Sequence, residues 1–155
     1  MRSATVILCS TVYVEFAIFW NATSHPSSES YKGQSVGCEV ESSALISLTM
    51  NQKFTRTVSY HTQGEVIYWY FGQKEPLFSE SRRFAKNMSK ATGYKLDSNY
   101  ADLDPAGYKD WALSKQNIPS LTIEVGKGSN PVDPVQFSTI CSQNKDMLEE
   151  IISFE

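Results

Sequence analysis

A chain of 155 residues can bury one full core and is short for two domains. With 41% apolar, 12% aromatic and 20% charged residues it is not a disordered, collagen-like or coiled-coil sequence. A formal charge of −3 leaves no electrostatic footprint for a nucleic-acid partner.

The first segment, SATVILCSTVYVEFAIFW (Ser3 to Trp20), is strongly apolar and broken only by Glu15. Its length approaches a membrane span of roughly 17–25 residues, and Arg2 is a minimal positive flank. The stretch ends in aromatics rather than a small-residue cleavage site, and Glu15 would be costly in lipid. Buried β-strands explain the composition equally well, so residues 1–22 are set apart as an apolar segment. Anchoring through residues 3–20 is kept as an alternative. NATSHPSSESYKGQS follows as a loop and contains an N-A-T sequon at Asn21.

From Glu39 to Met50, apolar residues at Val40, Ala44, Leu45 and Leu48 predict an amphipathic helix with that face inward. Arg56 to Tyr60 reads as a strand, and Val66 to Tyr70 as a second strand or its continuation. Leu77 to Thr92 predicts a helix on Leu77, Phe84, Met88 and Ala91, closed by Gly93. SNYADLDPAG (Ser98 to Gly107) is loop, and GYKDWALSKQN a short helix. SLTIEVG (Ser120 to Gly126) is the clearest buried strand, entered through Pro119, and Val135 to Ile152 reads as one closing helix. Strands interleaved with helices predict an α/β domain with a parallel or mixed sheet. Cys9, Cys38 and Cys141 are odd in number and widely spaced, with no CxxC. They favour free thiols in a reducing, cytoplasmic compartment, with a membrane-anchored or exported protein as the alternative.

Two residues carry candidate chemistry. Glu124 lies inside the strand SLTIEVG, where a carboxylate is expensive unless paired or reactive. It is either an edge-strand side chain facing water or a general base raised by burial. His61, in YHTQGEVIYW, ends a strand, a place for hydrogen-bonded structure or for a metal ligand. A strand-borne histidine and glutamate in one small sheet are what a zinc hydrolase needs. The metal polarises the scissile carbonyl and acidifies a water whose proton the glutamate takes.

YHTQGEVIYW and AGYKDWALSKQNIPSLTIEVGKGSNP resemble the zinc carboxypeptidase family, M14 in the peptidase classification. The nearest branch is the bacterial γ-D-glutamyl-diamino acid peptidases of cell-wall peptides. The resemblance runs from about Ser27 to the C-terminus and covers residues 23–155 as a partial domain, similar to the C-terminal half of the family's mixed sheet with flanking helices. It implies that His61 is the last of three zinc ligands and Glu124 the general base. It places the tyrosine that closes over substrate at Tyr100. Lys109 falls at the floor of the specificity pocket, where it would favour a substrate with an extra carboxylate such as diaminopimelate; read without the resemblance, it is a solvated lysine at a helix start.

The resemblance also implies elements that are missing. The family's H-x-x-E zinc motif, its Asn-Arg pair and its transition-state arginine have no counterpart, and His25 has Glu29 at a spacing of four, not three. With one protein ligand, zinc should bind weakly. The resemblance therefore implies a truncated peptidase, weakly active or inactive alone, which a complementing N-terminal half could complete. The competing expectation is a non-catalytic remnant or peptide-binding module.

Overall fold

The computed structural model describes residues 6–9, 37–38, 40–97, 99–100 and 107–153. Five strands form one mixed sheet in the order β1-β2-β5-β3-β4. They are β1 (Val6–Cys9), β2 (Thr57–Thr62), β3 (Val66–Tyr68), β4 (Lys95–Leu96) and β5 (Ser120–Val125). β1, β2 and β5 run parallel; β3 pairs antiparallel with β5 and parallel with β4. Part of the apolar N-terminal stretch thus forms a strand of the sheet. The rest of that stretch, with Asn21 and His25, lies outside the described residues. No helix among the described residues is long and apolar enough to cross a membrane.

The strand pleat divides the sheet into two unlike faces. Val58, Leu121, Ile123 and Ile67 point to one side, where they pack with Phe84, Ala85 and Met88 of α2 (Leu77–Thr92) and with Met147 and Ile151 of α5 (Met147–Ser153). All of these are essentially fully buried. α2 has the predicted bounds and ends at Gly93, whose φ of 76° supplies the left-handed closure that a Cβ would disfavour. The opposite face carries Thr57, Ser59 and His61 on β2 and Ser120, Thr122 and Glu124 on β5. Thr57 and Ser120 join there by a 2.7 Å hydroxyl–hydroxyl hydrogen bond, showing that register partners share a face. Tyr108 of α3 (Tyr108–Trp111) reaches the same buried row: its hydroxyl lies 2.9 Å from Thr49 Oγ1 and also bonds Thr57.

Two local expectations are corrected. α1 spans Val40–Asn51, but Val40 and Leu48 are exposed, and the helix turns Ser42, Leu45, Ile46 and Thr49 inward. Leu45 and Ile46 pack on Tyr108, Trp111 and Ala112, and the Thr49–Tyr108 bond fixes the rotation. A buried polar contact overrides the apolar count. The closing helix is broken into a 3-10 turn (Pro134–Gln136), α4 (Phe137–Asn144) and α5. Past the break, Met147 and Ile151 of α5 lie in the core, while α4 buries no residue. Of the two readings of Val66–Tyr70, the second strand holds: β3 is separate from β2, and β5 inserts between them.

Candidate active site

Because β2 and β5 pair in parallel register, His61 lies directly beside Glu124. Both sit at the carboxyl ends of central strands, the end at which open α/β sheets expose ligand sites. β5 is interior to the sheet, so the edge-strand reading of Glu124 is wrong: it has β2 on one side and β3 on the other, with Val66 as its register partner on β3. Its backbone is therefore held by two ladders.

The electrostatics of the pair follow from burial. Both side chains are half-buried. Desolvation raises the Glu124 carboxyl above its ordinary range and lowers the His61 imidazole below its own. Glu124 Oε2 is buried and has no hydrogen-bond partner among the described residues. An oxygen of that kind, on a carboxyl of raised basicity, is available to take a proton. Tyr68, on the same face through its register with Thr122, has its phenol pushed up by burial first and then by the charges of Glu124 and Asp97.

The signs give a direct test. Glu124 is protonated more readily in the fold, so its contribution is fully present below the ordinary carboxylate range. It is lost as pH rises through the higher folded value. Glu124→Gln is thus expected to stabilise the protein at neutral pH by an amount on the order of 1 kcal/mol for a half-buried orphan oxygen. The gain should vanish in acid, as urea unfolding at both pH values would show. His61 works the other way: its contribution is present above the ordinary imidazole value and fades as pH falls through the lower folded one.

A polar chain braces the loops around the pair. Gly64 donates its N–H to Gly126 O at 2.9 Å, and Thr62 Oγ1 donates to Asn130 Oδ1 at 3.0 Å, tying the turn after His61 to the loop after Glu124. Glu65, at φ 50° in a region that disfavours side chains, is held by Lys127 at 2.7 Å and by Gln143 Nε2 at 3.1 Å. Tyr94 OH donates to Gln143 Oε1 and accepts from Asn144 Nδ2, each at 3.0 Å. Lys127 and Gln143 hold the Glu65 carboxyl below its usual range.

Lys109 is not a solvated helix-start lysine. Its side chain is 9% exposed and pairs with Asp110, 6% exposed. Nζ also donates to Tyr70 O at 3.3 Å and lies 5.6 Å from the centroid of the Phe71 ring. Asp110 Oδ2 in turn accepts the Gly107 N–H at 3.3 Å, capping α3. Tyr100 is about half exposed and packs edge-on against Tyr70 (4.8 Å) and Trp69 (5.9 Å). Lys109 and Tyr100 are therefore joined through Tyr70, whose carbonyl holds one and whose ring holds the other. Asp110 and Tyr68 were missed in the sequence. The signal for Asp110 was adjacent, opposite charges at a helix start; Tyr68 gave none, since its approach to Glu124 depends on the β3–β5 register.

Among the described residues, no three His, Cys, Asp or Glu side chains gather into a group that could hold a metal. His61 is one nitrogen donor, where a catalytic zinc takes three protein ligands. The described residues therefore do not by themselves fit a resident zinc.

Comparison with protein-family profiles matches residues 14–147 to the zinc carboxypeptidase family. The chain belongs to that family. Within it, the chain is 35% identical over 115 residues to the γ-D-glutamyl-L-diamino acid endopeptidase 1 of Lysinibacillus sphaericus, covering 74% of this chain and 28% of that protein. It is 33% identical over 130 residues to the uncharacterized protein YqgT of Bacillus subtilis, covering 83% of this chain and 34% of that protein. The chain thus spans about a third of the length of these relatives. Among solved structures, carboxypeptidase A from Helicoverpa armigera shares the fold at a TM-score of 0.72 and 17% identity, over 94% of this chain and 42% of that one. Thrombin-activatable fibrinolysis inhibitor does so at 0.71 and 19%, over 85% and 37%.

Proposed function

We propose that the chain carries the base and the specificity pocket of a peptide hydrolase for cell-wall peptides with a γ-D-glutamyl-diamino acid linkage. One observation carries the reading: His61 and Glu124 stand in register on the two central parallel strands, with Glu124 Oε2 unengaged. In this reading Glu124 accepts a proton from the water that attacks the scissile carbonyl. His61 offers its neutral imidazole as a zinc ligand, Tyr100 closes over the bound peptide, and Lys109 receives a carboxylate at the far end of the substrate side chain. The working compartment is the cytoplasm, and residues 23–155 act as one partial domain together with strand β1, which pairs with β2 in their sheet.

Among the described residues His61 stands without a three-donor group around it, and a single donor holds zinc weakly, so these residues alone are expected to hydrolyse such peptides little or not at all. A polypeptide supplying H-x-x-E and an Asn-Arg pair would complete the site. The lack of a three-donor group among the described residues favours, as the second reading, a peptide-binding module without catalysis.

Zinc titration with a turnover assay on a γ-D-glutamyl-diaminopimelyl peptide separates these. Weak, substoichiometric zinc and negligible turnover are expected from the chain alone. A complementing segment should restore turnover that Glu124→Gln abolishes. Stoichiometric submicromolar zinc and Glu124-dependent turnover without that segment would refute the predicted inactivity. Persistent inactivity with the segment bound would leave the binding module.

A further inference from the structure

We infer that Glu65 and Lys127 are positioning residues for the His61–Glu124 pair. Their ion pair closes a clasp across the end of β5 and keeps the two side chains facing on their strand ends. The inference rests on the reading of His61 and Glu124 as the reacting pair.

The sheet order creates the need for a clasp. β2 and β5 run parallel and side by side, yet the chain leaving β2 must reach β3 on the far side of β5. Three residues, Gln63 to Glu65, carry it past the carboxyl end of β5. So short a crossing bends the backbone: Gly64 has φ 148° and Glu65 φ 50°. The Gly64 N–H reaches Gly126 O at 2.9 Å. Gly126 is closed in from its other side, since a Cβ there would stand 2.8 Å from Val132 and 3.2 Å from Ile140. His61 and Glu124 end the two strands just before this crossing. Whatever fixes the crossing therefore fixes both.

Glu65 is a costly residue for that turn. A side chain at φ 50° carries strain that glycine or asparagine would largely avoid, and such an outlier points to a role for the side chain. Both carboxylate oxygens are engaged: Oε2 takes Lys127 Nζ at 2.7 Å, and Oε1 accepts from Gln143 Nε2 at 3.1 Å. Lys127 is held from behind as well. The Gln136 amide accepts from its N–H at 3.0 Å and donates to its carbonyl at 2.9 Å. The lysine side chain itself is 70% exposed. A pair so open to water adds little to global stability, and ordering it costs side-chain entropy. It ties the turn after His61 to the loop after Glu124, beside the Gly64–Gly126 and Thr62–Asn130 bonds. Position, rather than stability, is what the pair supplies.

Nuclear magnetic resonance on the full chain tests this through the χ1 couplings of His61 and Glu124. In the unaltered protein each should report one dominant rotamer. Lys127→Met removes the ammonium but leaves the two Gln136 bonds to the main chain. The single-rotamer couplings should then be lost to averaging, whereas Lys127→Arg, which keeps a cation, should retain them. Glu65→Asn suits the left-handed backbone but is one carbon short of Lys127. It should average the same couplings while the urea midpoint holds or rises, a divergence that a purely structural residue would not give. Parent-like couplings in Lys127→Met and Glu65→Asn overturn the inference. So do couplings already averaged in the unaltered chain, or averaged equally in Lys127→Arg. Should one variant fail to fold, the other decides. No turnover is needed, so the clasp can fail while the peptidase reading stands. Loss of that reading in the zinc and turnover assay leaves the clasp to be judged on these couplings.

Discussion

Lys109→Met is expected to lose about 3–5 kcal/mol of stability, the range for a buried ion pair robbed of one partner. The cause is the charge left behind. Asp110, 4% exposed overall, keeps only the Gly107 N–H once the lysine is removed. For a domain of this size each kcal/mol shifts the midpoint by about 2–4 °C, so thermal unfolding should move down by roughly 6–20 °C. The double change Lys109→Met with Asp110→Asn should recover most of the loss, because an amide still caps α3 without carrying charge. If the single change costs less than about 1 kcal/mol in urea unfolding, as an exposed pair would, the burial argument fails.

The second large effect belongs to Trp69. It is 1% exposed, packs on Phe78 at 5.3 Å and on Tyr70 and Tyr100, and donates Nε1–H to Asp97 O at 3.1 Å. Trp69→Ala removes a large core side chain and should cost about 3–5 kcal/mol. Trp69→Phe keeps an aromatic ring but loses the indole donor, leaving Asp97 O without that bond, and should cost about 1–2 kcal/mol. The Ala variant should also loosen Tyr100, since one of its two aromatic walls is gone. Quenching of tyrosine fluorescence by acrylamide would register that change. A Trp69→Ala protein that unfolds within 1 kcal/mol of the parent would show that the aromatic cluster is not part of the core.

How much of this could be read from the sequence depended on how local its cause was. The strand SLTIEVG was legible because an apolar, β-branched run stands between Pro119 and Gly126, and α2 because its period and its Gly93 stop agree. Glu124's place in the middle of the sheet was not legible. It follows from pairing with β2, some sixty residues earlier, and from the antiparallel return of β3. The inward face of α1 was misread for a related reason: Thr49 is drawn in by Tyr108, far along the chain. His61 and Glu124 were identifiable one by one, and their adjacency needed the register. The neutralisation of Lys109 was missed although its partner is the next residue, because whether an adjacent Lys-Asp pair is solvated or buried depends on Tyr70 and Phe71.

The polar chain from Tyr94 through Asn144 and Gln143 to Glu65 and Lys127 has a bearing on how the molecule breathes. It fastens α4, which contributes no residue to the buried core, to the turn beyond His61 and to the loop beyond Glu124. Elements fastened in this way open together rather than fray singly. Amide hydrogens at Gly64 and in α4 should then exchange with solvent at a common rate, set by that shared opening, while Val58 and Ile123 exchange only when the whole domain unfolds.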